Sequence, residues 1–306
     1  MQGSALISEL EPSVGRLLDR HLGTTREWFP HELIPYERGR ATTKEPWTEA
    51  DADLGGVQIP DAVRSALYVN LLTEDNLPYY SRDIQNLFGD HEAWGAWARR
   101  WTAEEGRHSM AIYGYLMVTR AIDPVALERG RMCQVSTAQV PAPVSPLDGL
   151  VYLTLQELAT RISHRNTGKL LGDPVGYDLM ARVAADENLH HLFYRDLTAA
   201  AFDADPSGMV LATEREVKGF AMPGTGIPDF DRHAALIARA GIYDLTIHHS
   251  QIVVPIVLNQ WRITELTGLT AEAEASRDRL LSHIDRMGRV ARRLQDRRQN
   301  AEAAGV

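Results

Sequence analysis

Two short motifs in the chain join a carboxylate to an imidazole at the same spacing. They are Glu105-x-x-His108 and Glu187-x-x-His190. Residues three apart lie on one face of an α-helix, so the Glu and the His of each motif can hold one ion together. Glu74 and Glu157 precede the two motifs, each as a lone acid on a largely apolar segment. The order acid, Glu-x-x-His, acid, Glu-x-x-His is typical of a dinuclear carboxylate site inside a four-helix bundle.

The charges of these six residues indicate which ions would bind. Each acid is predicted to face an apolar or mildly polar helix surface, where an ionised carboxylate is costly unless it is neutralised. Two divalent cations balance four carboxylates, and two neutral imidazoles complete the set of ligands. Ligation that is rich in oxygen, with one His per metal, suits iron or manganese better than zinc. The alternative for any single acid is an ion pair with Arg on a solvated helix face.

Two of the assignments have competing neighbours in the sequence. Glu104 could take the place of Glu105, and His191 could take the place of His190. The i, i+3 spacing and the helix face shared with Trp101 favour Glu105.

Carboxylates next to the motifs are candidates for the groups that orient the histidines. A metal-bound His usually donates its other N–H to a carboxylate. Asp186 could accept this bond from His108, and Glu104 could accept it from His190. The remaining histidines that we considered are expected to be ordinary polar or core residues: His31, His164, His248 and His249.

Three further side chains have two interpretations each. Thr160 lies one turn after Glu157, and its hydroxyl could contact dioxygen at the metals as a catalytic residue. It could equally bond back to a carbonyl of its own helix. Trp28 and Trp101 could carry electrons to the metals, or they could be plain packing residues.

The elements that must position these residues are long helices. We predict helices over residues 8–22, 61–89, 91–121, 148–171, 174–202, 207–219, 231–240, 244–267 and 271–299, with a short one from 124. Pro78 cannot donate to the Glu74 carbonyl and should kink the second of these helices near a ligand. No run of alternating strands is found, so the predicted class is all-α, and without a Pro/Gly/Ser-rich linker we expect a single domain over residues 1–306.

Composition narrows the class of protein. The chain has 306 residues, of which 44% are hydrophobic, and a formal net charge of -9. This charge argues against nucleic acid as a partner. Cys133 is the single cysteine, which favours a reducing compartment without disulfides. We find no secretory signal and no stretch of about 18 apolar residues, so we expect a cytoplasmic protein without a membrane span.

The residues around the predicted ligands resemble the soluble acyl-acyl-carrier-protein desaturases of plant plastids and actinobacteria. The matching stretches are 28–30, 73–78, 101–108, 156–160, 162–167 and 185–190, with weaker matches at 221–223 and 266–269. The likeness therefore covers nearly the whole chain. It implies a ferritin-like four-helix bundle core with additional flanking helices.

The resemblance also implies an activity. Such enzymes use two iron ions, O2 and two electrons to insert a cis double bond into an acyl chain carried on acyl carrier protein, in fatty acid biosynthesis. By the resemblance the iron ligands are Glu74, Glu105, His108, Glu157, Glu187 and His190. Glu105 and Glu187 would bridge the two irons, and the other two acids would be terminal. Family members are typically homodimers that receive electrons from ferredoxin.

The chain departs from the plant pattern just after Glu74. Plant enzymes line the acyl cavity here with small and apolar residues, whereas this chain has Asp83 and Asn86, which would be poor walls for a long alkyl chain. Arg165 replaces a small residue further along. Two alternatives therefore stay open: a di-iron oxygenase or hydroxylase that acts on another tethered substrate, and a non-catalytic ferritin-like paralogue.

Overall fold

The computed structural model describes residues 3–39, 46–52, 58–137, 140, 142–224 and 226–303. Within them the chain forms eleven α-helices, several short 3₁₀ turns and one π-helical segment, and no β-strand. The α-helices are α1 Gly3–Thr24, α2 Asp61–Glu74, α3 Leu77–Phe88, α4 Glu92–Thr119, α5 Pro124–Thr137, α6 Pro146–Leu170, α7 Pro174–Ala204, α8 Pro206–Gly219, α9 Phe230–Arg239, α10 Leu245–Ile247 and α11 Ala271–Ala303. None of these helices is long and apolar enough to cross a membrane.

Four of the helices form the bundle that carries the predicted ligands. They are α2, α4, α6 and α7, and the most extensive packing among the described elements joins α6 to α7. Helix α1 packs on α4 and α7, and α11 packs on α8. The flanking helices therefore cover a central bundle, as the sequence predicted.

The apolar core is divided into two clusters along the bundle. On α4, residues Trp94 to Trp101 belong to one cluster, and Ala111 to Leu116 belong to the other. On α7, the second cluster contains Leu179 to Val183, and the first contains residues from Phe193 onwards. Both Glu-x-x-His motifs fall in the intervals between the clusters. The polar site is thus enclosed by packed apolar layers above and below it.

The predicted helix over residues 61–89 is wrong as a single element. The structure interrupts it at Asp75 and Asn76, directly after Glu74. Pro78 cannot donate to the Glu74 carbonyl, and the Asp75 carboxylate accepts bonds from the Ser109 hydroxyl at 2.6 Å and from Arg131 Nε at 2.6 Å. The predicted kink is therefore a full break, held in place by α4 and α5.

The predicted helix over residues 244–267 is also wrong in type. Three α-helical residues lead into a π-helix over His248–Gln260, which contains Pro255. The π-helix ends before Arg262, which adopts a left-handed conformation with φ of 50°. A hydrophobic period does not distinguish a π-helix from an α-helix over so short a segment, so this feature could not be predicted from the sequence.

Candidate metal centre

The six predicted ligands converge in the middle of the bundle. Glu74 is the last residue of α2, Glu157 lies on α6, and α4 and α7 each contribute one Glu-x-x-His pair. All six side chains are buried, and none of the six residues is more than 7% exposed. The described helices therefore place every one of these predicted residues at a single site.

In one group of four residues, three acids surround His108. Its Nδ1 atom lies 3.2 Å from Glu105 Oε2, 3.4 Å from Glu187 Oε1 and 3.7 Å from Glu74 Oε2. A second group surrounds His190, whose Nδ1 lies 2.9 Å from Glu105 Oε1, 3.7 Å from Glu157 Oε2 and 3.9 Å from Glu187 Oε2. These groups each offer four ligand atoms that lie within 4.8 Å of one another. Glu105 and Glu187 belong to both groups, as bridging carboxylates would.

The unsatisfied atoms of the site point to cations. Among the described residues, Nδ1 of His108, Nδ1 of His190, Glu105 Oε1 and Glu157 Oε2 are buried and make no hydrogen bond of good geometry. Buried polar atoms without partners are costly, and such atoms are expected only where another partner completes the site. A set of carboxylate oxygens and one imidazole nitrogen per group fits a metal ion such as iron or manganese.

The pKa values of the carboxyl groups are driven apart by their crowding. Burial and the charge of Glu187 raise the pKa of Glu105 and, more strongly, that of Glu157. Burial would also raise the pKa of Glu187, but the neighbouring imidazoles of His108, His164 and His190 lower it well below the usual range. Without cations the acids cannot all remain ionised. Protons would then neutralise part of the negative charge of the four carboxylates, which two divalent ions could balance.

The outer nitrogen of each ligand histidine faces a different carboxylate. His108 Nε2 lies 3.5 Å from Asp186 Oδ2, and His190 Nε2 lies 2.9 Å from Glu104 Oε2. Asp186 and Glu104 are the two carboxylates that were predicted from the sequence to accept the outer N–H of these histidines. Glu104 therefore faces away from the ligand cluster, and Glu105 faces into it. His191 also points away, since its Nδ1 lies 2.9 Å from the Thr154 carbonyl oxygen.

Tryptophans reach the site from two sides. Trp28 Nε1 donates at 2.8 Å to Asp186 Oδ2, the carboxylate oxygen that lies 3.5 Å from His108 Nε2. Trp101 Nε1 donates to Glu157 Oε1 at 3.0 Å. Both tryptophans are therefore more than packing residues, because each fixes the position of an acid at the site.

Thr160 makes the helix back-bond that was one of its two interpretations, and its hydroxyl also reaches a carboxylate of the site. Its Oγ1 lies 3.0 Å from the Glu157 carbonyl oxygen, 3.2 Å from that of Gln156 and 3.2 Å from Glu187 Oε2. One hydroxyl proton serves one acceptor at a time. The hydroxyl can thus switch between the helix backbone and Glu187.

His164 was expected to be an ordinary residue, and the structure places it at the site instead. Its Nε2 lies 3.0 Å from Glu74 Oε1 and 3.6 Å from Glu187 Oε1. Carboxylates on both sides raise its pKa to about 9, although burial acts in the opposite direction. The available signal was its position seven residues after Glu157, on the same face of α6. His31 is exposed, and His248 lies 2.9 Å from the Tyr243 hydroxyl.

A pocket opens directly on the ligand cluster. Its empty volume, counted to its open mouth, is about 620 Å³. Besides Glu74, Glu105 and Glu187, its lining includes Thr73, Tyr80, Asp83, Ile84, Leu87, Trp101, Pro143, Tyr152, Leu153, Gln156, Thr160 and Pro223. Asp83 is part of this wall, as expected. The expectation for Asn86 is wrong, because Asn86 is exposed on α3 and does not line the pocket.

The chain is similar to known desaturases over almost its whole length. The family model named fatty acid desaturase matches residues 3–306. DesA1 of Mycobacterium tuberculosis, provisionally named an acyl-[acyl-carrier-protein] desaturase, is 44% identical over 283 residues, which cover 90% of this chain and 83% of DesA1. A chloroplastic stearoyl-[acyl-carrier-protein] 9-desaturase of Gossypium hirsutum is 32% identical over 80% of this chain and 66% of its own length. The X-ray structure of DesA2 of M. tuberculosis superposes with a TM-score of 0.70 at 27% identity, covering 86% of this chain and 97% of DesA2.

Proposed function

Because this chain belongs to the fatty acid desaturase family, we propose that it desaturates an acyl chain held on acyl carrier protein. The product is a cis double bond, formed in fatty acid biosynthesis. One observation carries the proposal: the pocket that could hold the acyl chain shares Glu74, Glu105 and Glu187 with the candidate metal centre. Its lining combines apolar and aromatic side chains with a few polar groups, as is typical of small-molecule sites. It would hold a bound chain against the metal ligands.

The metal in this proposal is iron, with two ions per chain. Glu74, Glu105, His108, Glu157, Glu187 and His190 would hold them, and Glu105 and Glu187 would serve both ions. When bound, two irons supply, with O2 and two electrons, the oxidising power that an unactivated C–H bond requires. The unpartnered Nδ1 atoms of the two histidines and the surplus of buried carboxylates support this assignment.

The side chains of the pocket bind and orient the acyl chain. Ile84, Leu87 and Leu153 offer apolar walls, which favour a hydrocarbon and keep water from the reacting carbons. Trp101 holds Glu157, and the Thr160 hydroxyl, which reaches Glu187, faces the same pocket. We assign Thr160 the catalytic role of donating a hydrogen bond beside the ligands. The position of the chain in the pocket then fixes which carbons react.

The partners and the location extend the proposal. Acyl carrier protein would deliver the substrate, and a ferredoxin-type donor would supply the electrons. By the family resemblance the enzyme works as a homodimer in the cytoplasm. The link from Trp28 through Asp186 to His108 supports an entry route for electrons on that side of the bundle.

The first experiment measures metal binding. After anaerobic loading with Fe(II), the wild-type chain is expected to bind two irons, and Glu105→Ala is expected to lose both, because Glu105 belongs to both groups of ligands. Asp178→Asn removes an exposed acid from α7 and should retain two irons. A folded wild-type chain that binds no iron would contradict the proposal.

One observation favours a second activity, a di-iron oxygenase acting on another tethered substrate. The Asp83 carboxylate lies in the pocket wall, where it suits a substrate that is not purely hydrocarbon. Product analysis separates the two activities, because desaturation removes two hydrogens whereas hydroxylation adds one oxygen. A non-catalytic role is disfavoured, because the relatives are named as desaturases.

A further inference from the structure

Glu104 accepts hydrogen bonds from two histidines at one oxygen. His21 Nε2 and His190 Nε2 each lie 2.9 Å from Glu104 Oε2. His21 comes from the last turn of α1, outside the four-helix bundle. All three side chains are buried, with exposures of 4%, 2% and 0% for His21, Glu104 and His190. A fifth helix therefore reaches the shell around the metal centre.

The second oxygen of Glu104 is held by arginine. Arg100 Nε donates to Glu104 Oε1 at 2.7 Å, and Arg107 Nη2 lies 3.7 Å from the same oxygen. These contacts are those of a carboxylate that accepts hydrogen bonds at both of its oxygens. Both histidines must therefore donate to it from Nε2. A His190 that donates from Nε2 keeps the lone pair of Nδ1, the atom that faces the ligand cluster.

The same three residues could in principle bind a further metal ion, since their ligand atoms lie within 4.8 Å of one another. Three features argue against it. The contacts have the length of hydrogen bonds to a carboxylate, and Arg100 and Arg107 already balance the charge of Glu104. A metal here would also need a doubly deprotonated His190. The group is better described as a hydrogen-bonded support.

We propose that His21 is a positioning residue for His190: it holds Glu104 in the orientation that makes His190 a metal ligand. An aromatic contact holds His21 in turn, because its ring and that of Trp97 form a T-shaped pair at a centroid distance of 5.1 Å and an angle of 86°. This inference rests on the metal centre of the proposed function. It gives α1, which carries His21 but none of the six predicted ligands, a function in supporting the metal centre.

The support is specific to one of the two histidines. His108 faces Asp186, whose other partners are Trp28, Arg107 and Arg182. No His21 contact to Asp186 occurs among the described residues. Loss of His21 should consequently weaken the ion held by His190 and leave the ion held by His108 almost unaffected.

The test is anaerobic equilibrium binding of Fe(II) to the full chain carrying His21→Leu or His21→Gln. Removal of an outer hydrogen-bond partner typically lowers metal affinity by about 10–100-fold. We expect this loss for one of the two ions in His21→Leu. His21→Gln retains an N–H donor of similar reach and should bind nearly as the wild type does. Thermal unfolding of the metal-free proteins controls for folding.

Two further backgrounds identify the ion that is lost. In a His108→Ala chain, His21→Leu should weaken the remaining ion. In a His190→Ala chain it should change the affinity by less than about twofold, since among the described residues His108 faces Asp186 and contacts neither Glu104 nor His21 directly. If His21→Leu does not fold, the comparison is His21→Gln against His21→Asn, whose shorter amide cannot reach Glu104.

Several results would overturn the inference. They are equal weakening of both ions, no weakening of either, a His21→Gln chain that binds as poorly as His21→Leu, or a third iron bound by the wild type. The failure of the proposed function looks different. In that case the wild-type chain itself binds fewer than two irons.

Discussion

At the scale of single residues, crowding of buried acids determines what the bundle centre can bind. Burial and neighbouring carboxylates raise the pKa values of Glu105 and Glu157. The pKa of Glu187 is lowered, because the imidazoles at the site stabilise its charge most strongly. Cations relieve this competition more completely than protons do, since two divalent ions balance four charges at once. The buried acids therefore form a site that could bind metal ions.

Asp83 is the residue that most directly affects which substrate fits. Asp83→Leu is expected to lower the KM for a long saturated acyl chain roughly tenfold. The Asp83 carboxylate accepts from Arg82 Nε at 3.2 Å but is still partly exposed, and an acyl chain that covers it would remove its remaining water at a cost on the order of 1–3 kcal/mol. Steady-state kinetics with saturated acyl carrier protein substrates of different length measure the change.

Asn86→Leu is the matched control for Asp83. It changes a polar residue one turn further along α3 that is exposed and does not line the pocket, so it should leave the KM unchanged. An unchanged or higher KM in Asp83→Leu would mean that the carboxylate serves the natural substrate, as the oxygenase alternative requires.

Helical periodicity ties spacing to direction, and it predicted that the Glu and the His of each Glu-x-x-His motif share a helix face. Glu74 and Glu157 were instead predicted as lone acids on largely apolar segments. Glu and His at i, i+3 must share a face, and this holds whatever the tertiary structure is. His21 could not be found in this way, since it lies on α1 and is placed by the packing of that helix against α4 and α7. The sequence signal for His164 was weaker, namely its position seven residues after Glu157 on the same helix face. Only the structure shows that it lies buried at the site, with Nε2 3.0 Å from Glu74 Oε1.

At the scale of elements, most helix positions followed from the sequence. Asp173 and Pro174 predicted the start of α7, and the Asp173 side chain indeed accepts from the Gly176 backbone N–H at 3.1 Å. The all-α, ferritin-like prediction is confirmed by the superposition on DesA2. The break after Glu74 was only partly predictable, because Pro78 signals a disturbance whereas its position depends on the Asp75 contacts to other helices.

The Asp173 cap gives a prediction about stability. Besides Gly176, its carboxylate accepts from the Tyr115 hydroxyl at 2.9 Å and from Arg38 Nη1 at 2.9 Å. Asp173→Ala should lower the free energy of unfolding by at least about 1–2 kcal/mol, the value of a cap. It also strands the buried Tyr115 hydroxyl, which adds to the loss. Urea denaturation followed by circular dichroism measures the change.

The pH dependence of the same cap has a definite sign. Burial would raise the pKa of Asp173, but hydrogen bonds from Arg38 and Tyr115 lower it below the usual 3.8. A lowered pKa in the folded state adds stability above pH 3.8, and this contribution fades as the pH falls through the folded-state value. Asp173→Asn keeps a hydrogen-bond acceptor, so it should lose only the part of the stabilisation that depends on the negative charge.

The control for both Asp173 predictions is Asp178→Ala, on the exposed face of α7, which should change the unfolding free energy by less than about 0.5 kcal/mol. Equal stability of wild type and Asp173→Ala would contradict this account.

At the scale of the whole molecule, charge must be arranged unevenly if the chain is to meet an acidic carrier protein. The net charge is -9, yet α11 carries eight arginines: Arg277, Arg279, Arg286, Arg289, Arg292, Arg293, Arg297 and Arg298. Three of them form ion pairs in the structure, namely Arg279 with Glu214, Arg289 with Asp285 and Arg298 with Asp244. The acids partly neutralise these three arginines, so the three contribute less than the others to the positive charge of α11.

Arg293 and Arg297 are exposed on α11 and are the better candidates for docking. Their joint replacement, Arg293→Gln with Arg297→Gln, should raise the KM for acyl carrier protein substrates severalfold at low salt and flatten its salt dependence. The reason is that exposed charges attract a partner over about one Debye length, roughly 8 Å at physiological ionic strength. The matched control removes two exposed arginines elsewhere, Arg129 on α5 and Arg239 on α9, and should leave the salt dependence intact. If the doubly substituted α11 keeps the salt dependence of the wild type, these arginines only flank a solvated helix, and the carrier protein must dock on another face.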